Sequence, residues 1–176
     1  MGGRQKRSKK QSDGKLSARQ RQRDASVYYL DENFSDCRPI HDVLDSASLH
    51  YERHLAHFPR DKFPQGVDDE IWLPFVGQRC WIILTKDKAQ RYTPLELDQI
   101  KKHAVRQFSF SSGNMSKTLM ADILKARLWD IFRFVFKHQA PFIASITQHG
   151  IYMRFPKESN RSEAGSGKNV QAEKLR

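Results

Sequence analysis

A chain of 176 residues, 38 % hydrophobic and with 11 Phe, can bury one core of ordinary size but not two. Its two cysteines, Cys37 and Cys80, show no CxxC or Cys/His spacing, which excludes a disulfide framework and a zinc site. The formal charge of +11 is unevenly spread: +7 falls in residues 1–24, +2 in 157–176 and only +2 in 25–156.

Residues 1–24 hold nine Lys or Arg against two Asp, with Gly, Ser and Gln between them and no aromatic residue. Such a segment buries too little apolar surface to offset its ordering entropy, so a disordered basic tail is expected. It would be drawn to any polyanion, RNA being the simplest, or would serve as a solubilising arm. Residues 157–176 form a second polar tail, which leaves 25–156 as the folded domain. No apolar stretch approaches the ~20 residues of a membrane span, so a soluble, cytoplasmic protein without a membrane partner is expected.

VYYL at 27–30 is a continuous apolar run with β-branched and aromatic character, the pattern of a strand covered on both faces, and it ends in Asp31. A helix follows, with Ser35 or Asp36 as its cap and Ile40, Val43, Leu44 and Ala47 on one side. Alternation of Leu49, Tyr51, Arg53 and Leu55 predicts a strand, and RDKFPQG reads as a loop. Asp68 or Asp69 then caps a short helix through Phe75, with Gly77 as its stop.

CWIILT is the second buried strand, closed by Asp87, with Cys80 read as a small core residue. Pro94 opens a helix over 95–104, and VRQFSF gives a third strand ending in SSGN. The longest helix, 116–138, carries Met120, Leu124, Leu128, Ile131 and Val135 at steps of three and four, and Pro141 ends it. PFIASITQHG and IYMRF form a hairpin turning at His149 and Gly150. Trp72, Trp81 and Trp129 read as core aromatics, and His50, His54 and His57 as surface residues. Strands alternating with helices predict an α/β domain with a largely parallel sheet finished by an antiparallel hairpin.

In such a sheet ligands bind outside the carboxyl ends of the strands. Asp31 and Asp87 would emerge there together, and Asp68, Asp69 and Glu70 begin the helix leading into the second of these strands. Each acid has an ordinary alternative as a helix cap or turn residue. Gathered at one rim, they would hold a hard divalent cation through oxygen ligands. Thr85 could hydrogen-bond a carboxylate or a metal-bound water, and Lys86, Lys88 and Arg91 would either guide a nucleic-acid backbone or keep the surface solvated.

The ordered segments LDEN (Leu30 to Asn33), GVDDEIW (Gly66 to Trp72), LTKDK (Leu84 to Lys88), RYTPLE (Arg91 to Glu96) and SSGN (Ser111 to Asn114) resemble the short PIN-like nuclease domains related to VapC-type toxins. The resemblance covers about residues 26–156. It implies a PIN-like, Rossmann-like three-layer sandwich and a Mg²⁺- or Mn²⁺-dependent endoribonuclease, the toxin of a toxin–antitoxin pair. RNA, a cognate antitoxin and a second copy in a homodimer are the implied partners. By motif, Asp31, Asp69 and Asp87 match the catalytic, metal-binding acids, with Asp68 as the shifted alternative to Asp69. The further acid of larger PIN domains has no obvious match; Glu32 takes part of its role or Glu96 stands in from further away. A non-catalytic RNA-binding or regulatory module of the same fold is the alternative.

Overall fold

The computed structural model describes residues 25–86, 93–111 and 114–156. Six strands form one sheet: β1 (Val27–Leu30), β2 (His50–Arg53), β3 (Ile82–Thr85), β4 (Arg106–Phe110), β5 (Phe142–Ile146) and β6 (Ile151–Phe155), in the order β2-β1-β3-β4-β5-β6. All neighbours run parallel except β5 and β6, which form the expected antiparallel hairpin. The helices are α1 (Arg38–Ser46), the single turn α2 (His54–His57), α3 (Asp69–Gln78), α4 (Pro94–Lys102) and α5 (Lys117–Lys137). None of the helices among the described residues is long and apolar enough to cross a membrane.

The sheet separates two apolar layers because alternate strand residues point to opposite faces. Tyr28, Leu30, Leu84, Phe108, Phe110, Phe142 and Ala144 pack with Ile40 and Leu44 of α1 and with Met120, Leu124, Ile131 and Val135 of α5. Tyr29, Ile83 and Ile143 pack on the other side with Leu73 and Val76 of α3 and Ile100 of α4. Covered twice, β1, β3 and β5 are apolar almost throughout, as a largely parallel sheet between helical layers requires, while β4 is equally buried but sets Gln107 and Ser109 between its aromatic residues. The edge strand β6 instead alternates.

Several elements depart from the sequence expectations. The α1 cap is Cys37, with no side-chain cap bond, and Pro in the first turn presets the backbone. Ser35 is spent elsewhere: its hydroxyl donates to the Asp31 carbonyl and accepts from the Leu55 amide, tying the exit of β1 to α2. The strand expected to include Leu49 and Leu55 covers only His50–Arg53, because the chain turns into α2 at His54.

Helix α3 runs past Phe75 and through Pro74 to Gln78. Gly77 therefore does not stop it. A Cβ at Gly77 would lie 2.2 Å from the His103 carbonyl oxygen, so this glycine allows α3 to approach the end of α4. The left-handed residue that reverses the chain is Cys80 (φ 55°), which is exposed rather than part of the core. Trp129 is likewise 65 % exposed, lying beside the buried stripe of α5 rather than in it. Trp72 and Trp81 are partly buried against the α3/α4 layer, and His54 is buried at 5 % exposure, against the surface position expected of it.

Gly77→Ala is expected to lower stability by about 1–3 kcal/mol, because the opposing atom is backbone and cannot swing aside. Thermal denaturation measures it; an unchanged midpoint would show that α3 and α4 are not held at this distance.

Candidate active site

Asp31 follows the last residue of β1, at the carboxyl rim of the sheet, and is 7 % exposed. A buried carboxylate needs hydrogen bonds to replace its hydration. Oδ1 accepts from the Phe34 amide at 3.0 Å, and Oδ2 accepts from the Thr85 hydroxyl at 2.5 Å and from Asn33 Nδ2 at 3.4 Å. Pairing of Leu30 with Leu84 puts Asp31 and Thr85 side by side. The Asp31 amide continues the ladder to the Leu84 carbonyl, so strand register fixes the contact.

Asp31 opens on a cleft of about 470 Å³, where the starts of α3 and α4 and the turn α2 meet the rim. Glu32, Asp68, Asp69, Thr85 and Glu96 also line it. Asp68 occupies the cap position of α3 without capping through its side chain. Asp69, in the first turn, accepts from Trp72 Nε1 at 2.8 Å. Glu96 receives the Thr93 amide in a reciprocal capping box, which ties its carboxylate to the start of α4. Glu32 lies at the mouth in an exposed ion pair with Arg60 at 3.2 Å. Glu70 is exposed and lines an adjoining depression with Asp68, Asp69 and Glu96. Lys86 is partly buried and is not among the lining residues, while Asp87, Lys88 and Arg91 lie outside the described residues.

Among the lining residues that sequence reasoning missed are His54 and Gln107, both buried. His54 shares a 2.9 Å hydrogen bond through Nδ1 with the Tyr29 hydroxyl. Burial holds its pKa below the ordinary 6.5, with Glu32 pulling upward and His57 downward. Burial, and secondarily the charge of Asp31, raise the Tyr29 pKa, so this hydroxyl stays protonated. Tyr29 also stacks on Trp72, at 5.8 Å and 14°, and on Trp81, at 5.9 Å and 22°. An aromatic plate thus connects His54 to the indole that fixes Asp69. Gln107 is a polar residue in a strand otherwise rich in aromatics, a signal visible in VRQFSF once the face it occupies is known.

The donors around the cleft are carboxylate oxygens, the chemistry a hard cation such as Mg²⁺ or Mn²⁺ prefers. Among the described residues no three His, Cys, Asp or Glu side chains are grouped to hold one ion. The described acids therefore supply a suitable donor type but not a complete set.

Residues 26–112 match the family described as PIN like domain. The match supports a PIN-like domain, and the six-stranded, mostly parallel sheet with its antiparallel C-terminal pair is consistent with a PIN-like α/β, nuclease-type fold. No curated protein and no solved structure matches the chain.

Two measurements test the local physics. Thr85→Val removes the hydroxyl but keeps the branched shape, and should cost about 1.5–3 kcal/mol, the usual value of a hydrogen bond to a charged group; a cost near zero in chemical denaturation would mean that Asp31 does not depend on it. For His54, the unfolded chain binds a proton near pH 6.5 and the folded chain only at lower pH. Its contribution is full above 6.5 and is lost as pH falls through the folded value. Stability should decline over that window, and less steeply in His54→Gln; identical pH profiles would contradict the assignment.

Proposed function

We propose that this PIN-like domain is a metal-dependent endoribonuclease, the toxin component of a toxin–antitoxin pair. The observation carrying the reading is the buried Asp31 carboxylate, held by Thr85 at the ends of two parallel strands and facing a cleft shared with Asp69. A carboxylate kept out of water at such a rim is maintained against a desolvation cost, which a functional role explains better than a cap does.

In this reading Asp31, Asp69 and Asp87 hold Mg²⁺ or Mn²⁺, with Asp68 as the alternative to Asp69 and Glu32 or Glu96 nearby. The ion would supply charge neutralisation at the phosphate and a more acidic water. The chain's own contribution is orientation. Thr85 and the Phe34 amide fix both oxygens of Asp31, and Trp72 fixes one oxygen of Asp69. Lys86, Lys88 and Arg91 follow β3 and would neutralise the RNA backbone beside the rim. A cognate antitoxin covering the acidic cleft, and pairing of two copies, complete the reading.

Purified protein incubated with structured RNA and Mn²⁺ should cut it, and EDTA should abolish cutting. Asp31→Asn and Asp87→Asn should each lower the rate at least about 100-fold, the scale of losing a group that acts mainly in the transition state. Wild type cutting no faster than the double variant would refute the enzyme reading; RNA binding without cleavage would favour a non-catalytic RNA-binding module.

A further inference from the structure

His54 lines the acidic cleft without belonging to its set of carboxylates. It opens the turn α2, and the Ser35 hydroxyl joins the next residue of that turn, through the Leu55 amide, to the Asp31 carbonyl. The imidazole is thus anchored to the strand end that carries the buried acid. Three aromatic rings enclose it: Phe58 at 5.2 Å between centroids, Trp72 at 5.8 Å and 79°, and Tyr29 at 5.9 Å and 65°.

The two ring nitrogens have different surroundings. Nδ1 meets the Tyr29 hydroxyl at 2.9 Å. Tyr29 is fully buried, and among the described residues Nδ1 is the one hydrogen-bond partner of its hydroxyl. A phenol proton closed off from water needs an acceptor, so the hydroxyl donates and Nδ1 accepts. In a neutral imidazole the other nitrogen then carries the hydrogen. Nε2 has no hydrogen-bond partner among the described residues, and it is not one of the buried side-chain nitrogens shut away without a partner. It is therefore open, and the space beside this ring is the cleft. Burial keeps the ring neutral above its ordinary pKa of 6.5, with Glu32 opposing the shift and His57 reinforcing it. Neutrality matters at this place. A cationic side chain among Asp31, Glu32, Asp68 and Asp69 would compete for the carboxylates with any cation they hold, whereas a neutral N–H offers only a fixed dipole. Such a dipole suits an oxygen that grows more negative during a reaction, because it is already oriented when the charge develops.

We propose that His54 is a catalytic residue of the cleft, its Nε2–H donating a hydrogen bond to a non-bridging oxygen of the phosphate held there, with Tyr29 as the positioning residue that fixes the tautomer. The inference rests on the nuclease reading for the identity of the reacting group. No proton changes hands: His54 stays neutral and Tyr29 keeps its hydrogen, so the pair acts by orientation alone. The bond strengthens as charge gathers on the phosphate oxygens, and its loss therefore falls on kcat more than on KM.

The test joins ring-nitrogen NMR of the isotopically labelled full chain to cleavage kinetics. Above pH 6.5 the wild type should show His54 with a protonated Nε2 and a bare Nδ1, and the opposite tautomer would overturn the proposal. Tyr29→Phe should move the Nδ1 signal toward that of an unbonded ring nitrogen. Inorganic phosphate added with Mg²⁺ should shift the Nε2–H proton resonance; an unresponsive resonance would sink the assignment. His54→Phe keeps a ring without the donor and should lower kcat for RNA cleavage with Mn²⁺ about 100-fold with KM little changed, the scale of losing one preorganised donor. His54→Gln, which restores an N–H, should recover at least about tenfold of that loss. Equal losses in the two variants would reduce His54 to a structural role and overturn the proposal, and the wild-type spectra decide the matter where a variant does not fold. A chain whose Nε2–H answers phosphate but which never cuts RNA would defeat the ribonuclease reading and leave the donor standing. A chain that cuts RNA while His54→Phe keeps the wild-type kcat would defeat only the donor.

Discussion

The hydrogen bond from the Thr85 hydroxyl to the Asp31 carboxylate is the interaction on which the rest of the candidate site depends. It joins the ends of two parallel strands whose register is already fixed by the ladder beneath them and by large apolar residues on both faces. A buried carboxylate without such partners would shift toward its neutral form or draw in water. Here the Phe34 amide, the Thr85 hydroxyl and the Asn33 amide group supply the partners, and all three derive from how the chain leaves β1 and β3. The carboxylate is therefore oriented by groups that the ends of β1 and β3 bring to it.

The second acid is held differently. Asp69 depends on the indole of Trp72, which is stacked on Tyr29, whose hydroxyl meets buried His54. Tyr29 sits in β1, two residues before Asp31, so one strand supplies both the carboxylate and the plate that orients its counterpart on α3. Gly77 contributes from the far end of α3 by permitting its close approach to the end of α4. Displacing that helix would move Asp69 relative to Asp31 without altering any residue of the cleft.

The same sheet face carries opposite chemistry at its two ends. Carboxylates gather where α3 and α4 meet β1 and β3, while hydroxyls, a tyrosine and an arginine occupy the ends of β4, β5 and β6. The separation follows from topology: β6 is added antiparallel at the edge, so its side chains reach the rim on which the parallel strands finish.

Sequence alone determined the strands and helices whose apolar patterns are unambiguous. VYYL and IILT read as strands covered on both sides from their shortness and their β-branched and aromatic content, and the long stripe from Met120 to Val135 reads as a core-facing helix from its steps of three and four. It also determined that Asp31 follows a buried strand, since adjacency in the chain needs no tertiary information. What it could not show was how residues distant in the chain meet. Thr85 approaches Asp31 through the parallel pairing of β1 with β3, and His54 is buried because α2 turns it onto Tyr29. Gly77 serves close packing against the end of α4 rather than stopping a helix, and Trp129, read from the sequence as a core aromatic, falls outside the buried stripe. Single residues at the borders of elements carry little periodic signal. Their roles are decided by which strand, helix or ring the fold brings against them, and that is a property of the assembled sheet.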